Sequence, residues 1–262
     1  VAYDVGGTEL YVVDSEGEQM TLTADPSEPF LAATLNDDGS LAVTAERDNC
    51  KGAVDVYSAQ GDLMFTFRSS QRYVTDDDSY LAAVTLGQED SVFVSNIVLY
   101  DLTETEPVAD YDISDGLVLE ISQQDNRIVT VSDTVLTLAD PKGTVEGSYS
   151  YGGEYLREYD TAGDDFTVLL LNRYQSGSLG RLVTVDEKGE EIASLDISDE
   201  VVGLSAAGRY IAVLYIDHLE VYNQDLQTYA TLEDTGYARD ILMRSDGSVL
   251  LLASESARLF LP

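Results

Sequence analysis

The sequence predicts an all-β fold, a β-propeller built from four-stranded antiparallel blades. Two observations support this prediction. Hairpins of two alternating strands recur about every forty residues, and between them recurs a strand that is apolar at nearly every position. No stretch has the 3.6-residue apolar period that an amphipathic helix requires.

The recurring hairpins place a polar turn between two strands in which apolar and polar residues alternate. The central turn positions are Gly17, Gly61, Glu104, Gly143, Gly189 and Leu226. Tight hairpins favour Gly, Asn and Asp because these residues tolerate positive φ or hydrogen-bond to nearby backbone. A strand of period two keeps one face in water, so we assign these hairpins to strands C and D at the rim of each blade.

The second recurring element is a polar turn followed by a strand without alternation. It occupies residues 37–45, 77–86, 124–132, 163–171, 207–215 and 245–253, with FTVLLL at 166–171 as a clear case. A strand packed between neighbouring sheets is apolar on both faces and loses its alternation. These segments are therefore predicted to be the buried B strands.

All 262 residues are expected to form one domain, because propellers of this length fold as single units. Five full units lie between residues 29 and 234, and both ends supply parts of further blades. Seven blades are favoured, with upstream residues completing the incomplete terminal blades. Six blades are the alternative, in which the VAYDV segment closes the ring and residues 9–23 form an extra hairpin.

The charge is strongly one-sided. The chain has 49 acidic and 14 basic residues, a formal net charge of −35. Such a surface repels nucleic-acid phosphates and anionic lipid headgroups, so no nucleic-acid partner is expected. Export from the cell and adaptation to high salt both account for this acidity.

The cysteine content and the N-terminus bear on location. Cys50 is the only cysteine, so neither an intrachain disulfide nor a zinc site built from thiolates is possible. No apolar run approaches the roughly 20 residues that cross a bilayer. Because Val1 opens directly into a strand, we interpret the sequence as a fragment whose signal peptide or anchor lies upstream.

Two segments and the repeated strand, Asp-x-x-Gly turn, strand pattern resemble a known family. The segments are VAYDVGGTELYVVDSEGE at 1–18 and IAVLYIDHLEVYNQDLQ at 211–227. They resemble an uncharacterised clostridial family of membrane-anchored extracytoplasmic β-propeller proteins, over the whole chain. The resemblance implies an N-terminal transmembrane helix and a propeller outside the cell. The family has no established activity, so no functional residue is carried over.

Other propeller families fit less well. The chain contains no tryptophan, which argues against tryptophan–aspartate repeats, sialidase-type boxes and the docking motifs of quinoproteins. The Gly6–Gly7 and Gly152–Gly153 pairs are isolated, so they do not form a kelch pattern.

The densest acidic run is Asp76, Asp77 and Asp78. Three carboxylates suit Ca²⁺, but the run has neither the alternating ligands nor the glycine of a calcium loop. It falls at an A–B turn, where turn chemistry explains it. His218, the only imidazole, follows Asp217 at the start of a C strand and is expected to hydrogen-bond locally.

Four tyrosines, Tyr149, Tyr151, Tyr155 and Tyr159, form the densest aromatic cluster. Tyrosine has an apolar ring and a polar tip, which suits both strands and recognition surfaces. Packing between blades is the favoured interpretation, and a patch that binds a peptide or sugar is the alternative.

The sequence therefore predicts a non-enzymatic, extracytoplasmic recognition or scaffold module on the cell surface. It is expected to be a monomer that binds a protein or a cell-envelope glycan. No catalytic, cofactor-binding or metal-binding residue is assigned, and no cofactor is expected. The alternative is a carboxylate-dependent glycoside hydrolase or lyase, which needs two close carboxyl groups of raised pKa at the channel mouth. A spacer without a ligand is a third possibility.

Overall fold

The computed structural model describes residues 1–14, 17–35, 39–47, 50–69, 80–89, 92–101, 107–113, 116–124, 127–235 and 237–262. Every helix or strand within these ranges is a β-strand, 25 in total. The strands form seven antiparallel sheets in which neighbours along the chain are neighbours in the sheet. The prediction of an all-β fold is confirmed.

The chain divides into two compact units. Unit 1 comprises residues 1–123 and 141–144, and unit 2 comprises residues 124–140 and 145–262. The expectation of a single domain over 1–262 stays a prediction.

The strands of unit 1 form three sheets, and one further strand, β11, follows them. The first sheet is β1 (Ala2–Tyr3), β2 (Glu9–Asp14) and β3 (Gly17–Thr23). The second is β4 (Phe30–Leu35), β5 (Leu41–Arg47), β6 (Cys50–Tyr57) and β7 (Leu63–Ser69). The third is β8 (Tyr80–Glu89), β9 (Val92–Asp101) and β10 (Pro107–Ile113), and it is followed by β11 (Val118–Gln124).

Unit 2 contains the remaining strands. It begins with β12 (Arg127–Ser132), β13 (Val135–Ala139) and β14 (Val145–Ser150), which are consecutive strands of one sheet. The next sheet is β15 (Tyr155–Asp160), β16 (Phe166–Asn172), β17 (Gly180–Asp186) and β18 (Glu191–Ile197). It is followed by β19 (Val201–Ala207), β20 (Tyr210–Tyr215), β21 (Leu219–Asn223) and β22 (Thr228–Leu232). The last sheet is β23 (Asp240–Met243), β24 (Val249–Leu252) and β25 (Ala257–Phe260).

Six of the seven sheets, those formed by β4 to β25, consist of strands of four residues or more. Counted by these sheets, the chain is a six-bladed antiparallel β-propeller, the alternative number given above; four blades have four described strands and two have three. In the remaining sheet, β1 adds only Ala2 and Tyr3 to the hairpin of β2 and β3. The favoured number of seven blades, which counted this sheet as a blade, is not confirmed.

The buried B strands have the packing that their apolar sequence predicts. All seven residues of β16 are buried. Val168 lies in one core cluster with Val213 of β20, whereas Leu169 lies in a different cluster with Val129 of β12. Because β16 packs against a sheet on each face, it has no face for polar residues. In β14 and β18, the D strands, exposed and less exposed residues alternate instead.

Four of the six predicted turn positions have the expected backbone, whereas Gly17 is the first residue of β3 and Glu104 lies outside the described residues. Gly61, Gly143 and Gly189 have positive φ, and Leu226 occupies the same region with φ of 56°. At the last two turns an Asx side chain closes the loop: Asp186 Oδ1 accepts the N–H of Lys188 at 2.8 Å, and Asn223 Oδ1 accepts that of Asp225 at 3.1 Å. The hydrogen bond to the Asn223 side chain therefore stabilises the turn at Leu226, which lacks glycine.

Candidate functional site

The strand order of unit 2 places its longest loops at one end. In four antiparallel strands A to D, the B–C loop and the connection from D to the next A strand lie at the same end of the sheet. We call this the loop end of unit 2, and it carries the connections 151–154, 173–179, 198–200 and 216–218. The A–B and C–D turns lie at the opposite end.

A pocket of about 450 Å³ opens at the loop end of the β15–β18 sheet. Its lining comes from three chain segments that are distant in sequence: Arg157 on β15, Leu170, Asn172 and residues 175–178 at the B–C loop, and Ile197 with residues 199–201 after β18. Leu170, Ile197 and Val201 form an apolar floor, while the walls are polar or charged. We call this the loop-end pocket.

Hydrogen bonds hold the walls of the loop-end pocket in place. The buried Asn172 donates from its amide to the carbonyl of Gly177 at 3.0 Å, and Arg173 N–H donates to Leu179 O at 3.0 Å. Ser178 Oγ donates to Ser198 O at 3.0 Å, which joins the B–C loop to the following connection. The pocket is thus preformed, as ligand sites usually are.

Three exposed apolar side chains lie on the connections at the loop end of unit 2. Tyr174 is 60% exposed and Leu179 is 53% exposed, and both lie on the loop that lines it. Ile216, 66% exposed, follows Tyr215, which pairs with the pocket residue Val201. Isolated exposed apolar residues are ordinary, but a group of them beside a pocket is typical of an interaction surface.

The charges of the loop-end pocket are unequal. Asp199 and Glu200 are exposed carboxylates on one wall, and among the described residues of the lining Arg157 alone is basic. Burial raises the pKa of Tyr215, and the nearby carboxylates of Glu220 and Asp199 add to this shift. The 216–218 turn follows Tyr215 directly along the chain.

His218 lies in that turn and is bound locally, as its sequence context predicts. Its Nδ1 is 2.7 Å from Asp217 Oδ1, and its ring stacks on Tyr215 with centroids 4.4 Å apart. The Tyr222 hydroxyl donates to Glu220, and burial and this hydrogen bond raise the pKa of Tyr222. The contacts with Asp217 and Tyr215 give His218 a structural role at the edge of the loop end.

The four clustered tyrosines are not brought together as one surface patch. Tyr151 is 1% exposed and packs with Tyr149 and Tyr159 in the core cluster between β12 and β16, whereas Tyr155 is 47% exposed. Packing between sheets, the favoured interpretation, describes three of them, and Tyr155 belongs to the exposed surface of the loop end.

One ion-pair network was not visible in the sequence. Arg181 on β17 donates three hydrogen bonds. Its Nε donates to Glu154 at 2.8 Å, its Nη1 to Glu191 at 3.1 Å and its Nη2 to the Tyr149 hydroxyl at 3.1 Å. Burial and the hydrogen bond to Glu191 raise the pKa of Tyr149 to about 12. The network joins β14 to the neighbouring β15–β18 sheet. Its partners lie up to 42 residues apart in sequence, so no local pattern announces it.

Two carboxyl groups on β15 have a raised pKa, because both are largely buried. They are Glu158 and Asp160. Neither belongs to the lining of the loop-end pocket. The loop-end pocket therefore does not hold the pair of raised-pKa carboxyl groups that the glycosidase alternative requires.

The remaining sequence candidates concern metals and membranes. Asp76, Asp77 and Asp78 lie outside the described residues, as do Asp37 and Asp38. Over the described ranges, no three His, Cys, Asp or Glu side chains are grouped so as to hold a metal ion. The same ranges contain no helix that is long and apolar enough to cross a membrane.

Antiparallel four-stranded sheets that stack through buried B strands define a β-propeller protein. Comparison with known families then identifies the group. The model of a family of unknown function, DUF5711, matches residues 1–256, and the chain belongs to this family. No curated protein matched the sequence.

Solved structures share the fold at low sequence identity. A chain in the crystal structure of a mitotic checkpoint complex is similar with a TM-score of 0.61 and 12% identity, over 97% of this chain and 84% of that one. BamB from Moraxella catarrhalis is similar with a TM-score of 0.57 and 13% identity, over 97% of this chain and 78% of BamB. The WD40 repeats of RRP9 are similar with a TM-score of 0.58 and 11% identity, over 93% of this chain and 79% of that one. At these identities the similarity shows the fold alone.

Proposed function

We propose that this protein is a non-enzymatic recognition module that binds another protein through the loop end of unit 2. The observation that carries the proposal is the group of exposed Tyr174, Leu179 and Ile216 around a preformed pocket. Protein interfaces are enriched in aromatic residues at their centre and have a polar rim. The loop-end pocket combines an apolar floor with polar walls in the same way.

The structural relatives support this proposal. One of them belongs to a complex of several proteins, the mitotic checkpoint complex, and WD40 repeats and BamB share the same architecture. A propeller suits recognition because its sheets form a rigid scaffold from which variable loops project at one end. A cell-envelope glycan remains the other ligand class that the sequence suggests.

The experiment compares two matched double variants. Tyr174→Ser with Ile216→Ser removes apolar area at the loop end, and Tyr229→Ser with Val145→Ser removes a similar pair at the opposite end of unit 2, where both residues are at least half exposed. Purified proteins are immobilised, and proteins captured from the source organism's envelope fraction are quantified by mass spectrometry.

We expect a specific protein to be captured by the wild type and by the Tyr229 and Val145 variant, and lost from the loop-end variant. Loss of about 2 kcal/mol of binding free energy, a roughly 30-fold weaker interaction, is typical when central interface residues are truncated. Equal capture by both variants, or capture of no specific protein by the wild type, contradicts the proposal.

We further propose that the propeller works outside the cytoplasm of a clostridial bacterium, tethered by a segment upstream of Val1. The net charge of −35 and the single cysteine agree with an exported protein from an organism that does not rely on disulfides. Protease treatment of intact cells tests this. Digestion of the protein without lysis is expected, and protection until the cells are lysed refutes it.

A further inference from the structure

We propose that the loop-end pocket binds a lysine or arginine side chain of a basic peptide segment in the partner protein. This inference rests on the proposed function, and it specifies the chemistry of the ligand. It follows from the charges, the apolar lining and the surroundings of the loop-end pocket taken together.

The charges favour a cation. Asp199 and Glu200 contribute two exposed carboxylates to one wall, and Arg157 contributes one positive charge. Around this site the whole chain carries a formal net charge of −35. An acidic surface concentrates the field in a concave site and raises the association rate of positively charged partners.

The volume and the apolar lining residues suit a long basic side chain. Lysine and arginine place their methylene stems against apolar surface and keep the charged group in a polar environment. In the loop-end pocket, Leu170, Ile197 and Val201 provide the apolar floor, and Asp199 and Glu200 stand on the wall. The hydrogen bond from Ser178 Oγ to Ser198 O fixes the wall next to these carboxylates, so little ordering is needed on binding.

The surroundings suit the rest of a peptide. Tyr174 and Leu179 lie on the loop that lines the pocket, and Ile216 lies at the same end of the neighbouring sheet. Apolar residues flanking the basic residue of a peptide would contact these side chains. A metal ion or a small cation would make no use of this surface.

Arg157 gives the proposal a further test. Its guanidinium lies in the lining on β15 and repels a basic ligand, whereas it would attract an acidic one. Arg157→Gln is therefore expected to strengthen the binding of a basic peptide about 2- to 5-fold. Weaker binding of that peptide to the variant would overturn the proposal.

The probe is a fluorescein-labelled synthetic peptide, Gly-Leu-Lys-Ser-Arg-Leu-Lys-Gly, with Gln or Glu in place of the basic residues as neutral and acidic versions. Binding is measured by fluorescence anisotropy at about 50 mM and about 300 mM NaCl, because salt screens exposed charge pairs. We expect the basic peptide to bind, more weakly at high salt, and the acidic version not to bind.

Two matched charge variants separate the pocket from the overall field of the protein. Asp199→Asn with Glu200→Gln removes two charges at the loop-end pocket, and Asp164→Asn with Asp165→Asn removes two exposed charges at the A–B turn of the same sheet. We expect the first variant to weaken binding roughly 3- to 30-fold and the second less than 2-fold. Equal effects of the two variants would show a nonspecific charge effect and refute the site.

The outcomes also separate this inference from the proposed function. If the Tyr174→Ser and Ile216→Ser variant loses the native partner but no version of the basic peptide binds the wild type, the ligand assignment fails and the proposed function stands. If that variant keeps the native partner while the peptide still requires Asp199 and Glu200, the proposed function fails at that surface. All variants change exposed residues, and unchanged urea midpoints confirm that they fold.

Discussion

Asp160 connects two neighbouring sheets of unit 2, and its replacement by alanine tests how that contact contributes to stability. It is the last residue of β15. Its Oδ2 accepts the backbone N–H of Ala206 on β19 at 2.8 Å, and its Oδ1 accepts the N–H of Ala162 at 2.8 Å. Ala206 is 3% exposed, so its buried N–H loses its side-chain acceptor when the carboxylate is removed.

Two opposing effects set the magnitude. A buried donor left without an acceptor costs about 1–3 kcal/mol, and the exposed N–H of Ala162 loses about 1 kcal/mol of hydrogen bonding before water replaces the carboxylate. Against this, burial raises the pKa of Asp160, which means that the site disfavours the charge and that its removal regains part of the loss. We expect Asp160→Ala to lower the free energy of unfolding by about 1–3 kcal/mol. Asp160→Asn, which keeps one acceptor oxygen, should cost about half as much.

The pH dependence follows from the raised pKa. A carboxyl group whose pKa is higher in the folded state contributes stability that is fully present below its unfolded pKa, about 4, and that is lost as the pH rises through the folded value. This contribution to wild-type stability should therefore grow as the pH falls through the raised folded pKa of Asp160 toward about 4. In Asp160→Asn this contribution is absent, so the rise should be smaller.

Urea unfolding, followed by far-UV circular dichroism and by tyrosine fluorescence in this tryptophan-free chain, measures these changes. Coincidence of the two signals is required before free energies are compared. Asp164→Ala, at an exposed position of the following turn, is the control and should change stability by less than about 0.5 kcal/mol. An Asp160→Ala variant as stable as this control, or an Asp160→Asn variant with an unchanged pH slope, would refute the reasoning.

Three further predictions concern stability. The amide of Gln124 donates to the carbonyls of Thr161 and Phe166, so Gln124→Ala should lower the free energy of unfolding by about 1–2 kcal/mol, with the exposed Gln175→Ala as control. An unchanged free energy of unfolding in Gln124→Ala would contradict a stabilising role for these hydrogen bonds. Arg181→Met leaves the paired glutamates facing each other, and its unfolding midpoint in urea should fall more in low salt than in high salt. Added NaCl should raise the wild-type melting temperature, because it screens the self-repulsion of a chain of charge −35. A melting temperature that is independent of salt would contradict this.

Much of the fold could be predicted because it depends on local rules. The FTVLLL segment has no polar face, and β16 is buried on both faces as a result. The turn at Gly189 could be located because its φ of 77° favours glycine and the preceding Asp186 bonds to the backbone of the turn. The number of blades was harder to predict, because β1 contributes only two residues to its sheet and a short strand resembles a longer one in sequence.

The candidate site could not be predicted in the same way. Arg157, Asn172 and Asp199 are far apart along the chain, and each has an unremarkable sequence context. They line one pocket because the register of β15 to β18 brings a strand, a loop and a connection to the same end. Among 49 acidic residues, the two that matter cannot be selected without that register.

The amino-acid sequence by itself determined which segments are strands, which strands are buried on both faces and where the hairpins turn, because apolar periodicity and turn chemistry act over a few residues. Only the tertiary structure decided that Tyr151 is buried while Tyr155 is exposed, that Asp160 bonds across to Ala206, and that the loop end of unit 2 holds a pocket. These features depend on how whole sheets stack against each other, and side chains that meet across two sheets leave no local pattern in the chain.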